Sequence, residues 1–161
     1  MCVLHVTSKT KSFAGFLRET GFPIYQSHEK GEVSAIGKRQ PYDDFGFSSD
    51  VSKRNWTDLA GQIEDAHTFL REHEEALRSL TATHETTDIR LDFPYSCRLD
   101  EQIFMQCDYL PPEFLRLAGE LGIGIELSHY PPIEEDEDSE QHTGQVSSEA
   151  PPSVSPDEPS A

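Results

Sequence analysis

The sequence predicts an α+β domain, a two-layer sandwich whose mixed, mostly antiparallel sheet is packed by helices in a ferredoxin-like arrangement, followed by a disordered acidic tail. Three observations predict it. Short runs with a period of two, the mark of half-buried strands, recur along the chain. Residues 57–80 carry one long apolar stripe at helical spacing. The segments follow in the order β-α-β-β-α-β-β-α-β, and alternating strands suit a sheet with one packed and one polar face better than a doubly wound parallel sheet.

Residues 2–7 place Cys2, Leu4 and Val6 on one face and Val3, His5 and Thr7 on the other, which is a strand. Ser12 is placed to cap a short helix carrying Phe13, Phe16 and Leu17 on one side, with Gly21 where a helix-ending glycine belongs. Brief apolar runs at Val33–Ile36 and Phe45–Val51 predict two irregular strands. In the 57–80 helix the stripe is Leu59, Ile63, Ala66, Leu70, His73, Leu77 and Leu80, with Asn55 as N-cap and Asp58 favoured by the dipole of the first turn. This helix is expected to be the central packing element.

Ile89, Leu91 and Phe93, and then Ile103, Met105 and Cys107, alternate with polar or outward residues and predict an antiparallel strand pair. The segment LPPEFLRLAGELG sets Pro at the first helical positions, Phe114, Leu117, Ala118 and Leu121 on one face, and Gly122 at the end. A last strand, IGIELS, turns Ile123, Ile125 and Leu127 inward. The boundary falls at residue 132. Residues 133–161 hold nine acids, six Ser, four Pro and three large aliphatics, too little apolar area to offset the entropy of ordering, so this segment is expected to be disordered.

The formal charge of −17 is unevenly spread. Residues 1–54 hold 8 Lys/Arg against 6 Asp/Glu, residues 55–132 hold 5 against 15, and the tail holds none against 9. Such a surface repels phosphate backbones, which argues against direct nucleic-acid binding; it suits association with a basic protein, and plain solubility is the commoner reason for such a charge. The opening MCVLHVTSKTK alternates like a strand and lacks the apolar run of a secretory signal; no stretch reaches the roughly 18 apolar residues of a membrane span. With three cysteines and no CxxC, a cytoplasmic setting is expected.

The stretch FLRETGFPIYQSHEKGE leading to Trp56, and the later TDIRLDF and LPPEFLRLAGELGIGIELSHYP, resemble the domain of unknown function 4279 family of small bacterial proteins. The resemblance covers about residues 1–132; the region between its two ends lacks the family's second tryptophan. It implies a compact α+β fold with no assigned activity, and, through some relatives thought to act as immunity proteins, a toxin as partner.

Motifs for chemistry are absent. His67 and His73 lie six residues apart on one helix, about 240° around its axis, and cannot share an ion; HEEAL lacks the second His of a zinc-protease helix. Neither a metal nor a cofactor is expected. No GxSxG, Walker loop or GxGxxG occurs, so no catalytic residue is assigned. The leading expectation is a non-enzymatic protein-binding module, immunity-like toward a basic toxin. Trp56, read first as a staple for the start of the long helix and second as a binding anchor, and Tyr130, read first with His129 as a plug at the end of the last strand, are further binding candidates. The alternative is a small-molecule binder or small enzyme on the polar sheet face, using Arg90, Asp92, Gln106, Glu126 and His129. A third, a mimic of DNA charge, needs carboxylates spaced like phosphates.

Overall fold

The computed structural model describes residues 1–33, 40–99 and 102–130. The elements are β1 (Cys2–Ser8), α1 (Ala14–Thr20), β2 (Gln26–His28), β3 (Phe45–Ser52), α2 (Leu59–Glu72), α3 (Glu74–Thr83), β4 (Asp88–Ser96), α4 (Pro112–Glu120) and β5 (Gly124–Tyr130). They build one five-stranded sheet in the order β2-β3-β1-β4-β5. The β2–β3, β3–β1 and β1–β4 pairs are antiparallel, and β5 joins β4 in parallel through α4. The fold is α+β with a mixed sheet. The expected tail, 133–161, and residues 34–36 of an expected strand lie outside the described residues; Val33 makes an isolated bridge to Pro41.

Strand alternation divides the sheet into two faces. Leu4 lies opposite Leu91 and Ser49, and Val6 opposite Ile89 and Phe47, so these residues share the face under the helices. Every helix contributes to that side. Phe16 of α1 lies 6.2 Å from Phe47, Phe69 of α2 lies 5.8 Å from Phe22, and Phe114 of α4 meets Phe93 edge-on at 6.0 Å. Leu77 and Leu80 of α3 are fully buried. This aromatic and aliphatic layer, removed from water, is the main source of stability.

The 57–80 stripe is buried as expected, but over two helices. A straight α-helix from 59 to 83 would be roughly 37 Å long, against about 30 Å for a nine-residue strand. The chain bends at His73 (φ −109°, ψ 14°), whose ring lies 4.5 Å from Phe69 and 5.1 Å from Phe22. The bend keeps Leu77 and Leu80 over the core rather than past the sheet's end. The N-cap is Asp58, not Asn55: the Asp58 carboxylate accepts from the Gly61 amide at 2.9 Å. Ser12 does accept from the Ala14 amide at 3.1 Å, although Phe13 occupies the N-cap position of α1. Gly21 and Gly122 stand just past α1 and α4 with φ of 61° and 69°.

Two strand expectations are corrected. Residues 103–107 do not form a strand. β1 takes one edge of β4 and β5 the other, so no edge of β4 remains for that segment to pair with. Within β5, Ile125 packs on the core while Leu127 is 42% exposed, because an edge strand projects beyond the helices that cover its neighbours. No helix among the described residues is long and apolar enough to cross a membrane.

Candidate functional site

Past β4 the Cys97 amide still donates to the Tyr130 carbonyl of β5 at 2.8 Å, but residues 98, 99 and 102–111 belong to no strand and satisfy their polar groups without a ladder. A small network does this. The Arg98 amide donates to Gln106 Oε1 at 2.9 Å, folding the segment back on itself. The Arg98 guanidinium pairs with Asp108 at 2.5 Å, and Gln106 Nε2 and the Tyr95 hydroxyl donate to the same carboxylate at 2.8 and 3.1 Å. Gln106 Nε2 also donates to His129 Nε2 at 3.1 Å, and the His129 ring lies 4.3 Å from that of Tyr95. Burial acts to raise the Asp108 pKa, but donors from Gln106, Tyr95 and Arg98 outweigh it and hold the carboxyl below its usual range. Burial, then the bond to Asp108, pushes the Tyr95 hydroxyl up. Asp108 is therefore an ionised tether, and Tyr95 stays a proton donor.

Beside this network lies a cleft of about 440 Å³ between the first turns of α2 and α4. Its apolar lining is Ala60, Tyr109 and Pro111 over the buried Leu59, Ile63 and Phe114, and Arg98 and Asp108 also line it. Glu64, His67 and Glu113 supply the remaining polar wall. Its volume falls within the range of small-ligand sites.

Residues 103–109 present an uncovered apolar surface next to the cleft. Phe104 is 88% exposed, Met105 75% and Tyr109 74%. Tyr109, Cys107 and Asp108 also line the cleft, so surface and cavity are continuous. Large side chains left in water along one stretch of irregular chain mark an interaction surface more often than isolated exposed residues do.

The structure splits the residues anticipated from the sequence into three groups. Arg90, Asp92 and Glu126 share the open face of the sheet: Asp92 stands opposite Glu126, and Arg90 bonds to both Asp88 and Glu126. Ser128 donates to Asp92 at 2.6 Å, and the His5 ring bonds Ser48 at 3.0 Å. Burial, and then the charge of Arg90, lowers the His5 pKa. Gln106 and His129 do not belong to that face. His129 stands opposite Tyr95 on the helix side, and Gln106 lies in the loop. Trp56 and Tyr130 meet each other, with ring centres 4.9 Å apart, and the Trp56 carbonyl accepts from the Ser96 amide at 3.1 Å. Trp56 thus packs on the end of β5.

Comparison with protein-family models, curated proteins and solved structures finds no match. The assignment of a role rests on the chain's own geometry. Sequence reasoning missed Tyr95, Arg98, Asp108, Glu64 and Glu113, and it counted Met105 and Cys107 as strand. One signal for the exposed segment was available: in IFMQCDY the supposed outward position 104 is Phe, so a strand there would be apolar on both faces.

Proposed function

We propose that the protein is a non-enzymatic binding module whose contact surface is the 103–109 segment and whose partner is a basic protein. The observation that carries this is the exposed set Phe104, Met105 and Tyr109 on a chain of formal charge −17. Apolar anchors on an acidic chain combine affinity with steering, because exposed rings supply buried area on docking while the acidic field raises the encounter rate with cations. A second copy of so acidic a chain is a poor occupant, since like charges oppose it.

An immunity-like role toward a basic toxin fits this chemistry, and the resemblance to the domain of unknown function 4279 family points the same way. The ferredoxin-like arrangement is supported by the antiparallel order β2-β3-β1-β4 with helical crossovers, to which β5 is an addition. The cytoplasm remains the proposed location. The alternative, a small-molecule binder or small enzyme on the polar sheet face, has less behind it: Arg90, Asp92, Glu126 and Ser128 are engaged with one another or with Asp88.

The test is affinity capture from the native host at about 50 mM salt, with release at about 500 mM, where the Debye length falls to roughly 4 Å. The expected result is one basic protein in a 1:1 complex that Phe104→Ser with Met105→Ser weakens at least tenfold. Capture that ignores both salt and these substitutions contradicts the proposal.

A further inference from the structure

We infer that the cleft between α2 and α4 receives a single long cationic side chain, an arginine or lysine, projecting from the basic partner. This rests on the binding-module reading and specifies how its surface is read. The cleft suits an apolar stem with a charged end: the apolar lining open to a ligand is Ala60, Tyr109 and Pro111, backed by the buried Leu59, Ile63 and Phe114, the last meeting the imidazole of His67 edge-on at 6.5 Å. Arginine and lysine bury their methylene stems against such surfaces and keep the charged head among polar groups.

The sign of the charge follows from the lining. The polar wall brings Glu64, Asp108 and Glu113 together with one guanidinium, Arg98. Arg98 is engaged with Asp108 at 2.5 Å, which leaves the cleft lining with the carboxylates of Glu64 and Glu113 beside His67; Glu113 also borders the hollow that holds Arg71 and Arg116. A second guanidinium or an ammonium restores neutrality; an anion would face two like charges at close range. Tyr109 lines the cleft and is 74% exposed on the same segment as Phe104. A partner resting on Phe104 and Met105 is therefore positioned to place a side chain inside.

The experiment titrates the isotopically labelled full chain with N-acetyl-arginine amide and, separately, with the neutral isostere N-acetyl-citrulline amide, following backbone amide shifts. The arginine compound is expected to saturate, with a dissociation constant on the order of 1 mM for a ligand of its size, and to shift residues 59–67 and 107–114. The citrulline compound should leave them unmoved. Glu64→Gln with Glu113→Gln should weaken binding about fivefold or more. Ala60→Trp, at an exposed position on the cleft wall, should block it without changing charge.

No saturable shift in these segments, or equal shifts with the neutral compound, overturns the inference. The two proposals fail separately. Capture of the basic partner that needs Phe104 but tolerates Glu64→Gln with Glu113→Gln and Ala60→Trp removes the side-chain cleft and leaves the binding surface. Saturable binding of the arginine compound without any partner recovered does the reverse.

Discussion

Asp108 shows how one residue can set the shape of a surface. Its carboxylate collects Tyr95, Arg98 and Gln106, and through Gln106 reaches His129, so a single charge ties residues 106–108 to Arg98 and to the ends of β4 and β5. Replacing it with Ala leaves these donors unmatched, and the expected cost is about 1.5–3 kcal/mol in a urea or thermal unfolding experiment. The effect has a definite pH window. Because the folded state holds Asp108 below its ordinary pKa of about 3.9, the stabilisation is fully present above that pH. It is lost as pH falls through the lowered folded value, so wild type and Asp108→Ala should converge in strong acid. The sequence could not reveal this residue: its partners lie 2 to 13 positions away in a segment where no periodicity records their meeting.

At the scale of elements, legibility followed the hydrophobic effect. The stripe from Leu59 to Leu80 was readable because burial imposes a period, and every apolar member is buried. The bend at His73 was not, since the period survives it. The 103–107 segment was misread because alternation also occurs in loops; Phe104 at the supposed outward position was the signal against it, and the occupied edges of β4 deny it the expected partner. The start of α2 offers a sharper check. A Cβ added at Gly61 would fall 2.3 Å from Asp58 Oδ2, so the cap and an alanine at 61 compete for one space. Gly61→Ala alone should change stability little, its helical gain of about 1 kcal/mol offset by a lost cap of similar size. In an Asp58→Ala background the same substitution should stabilise by about 1 kcal/mol, a non-additivity that a double-mutant cycle measures.

For the molecule as a whole, the sheet separates two chemistries. The helix side holds the core and, at its margin, the cleft and the exposed loop; the open side holds paired charges around Arg90 and Asp92. The acidic balance and the division into one packed and one polar face were legible in the sequence. The position of the candidate site was not, because it depends on β5 docking beside β4 and turning the intervening loop outward. Hydrogen exchange on the full chain, free and in its 1:1 complex with the basic partner, tests the binding surface directly. The account predicts slowed exchange at residues 102–110 and along the first two turns of α2 and α4, with Asp88–Asp92 and Gly124–Glu126 unchanged; protection confined to those two strand segments would contradict it.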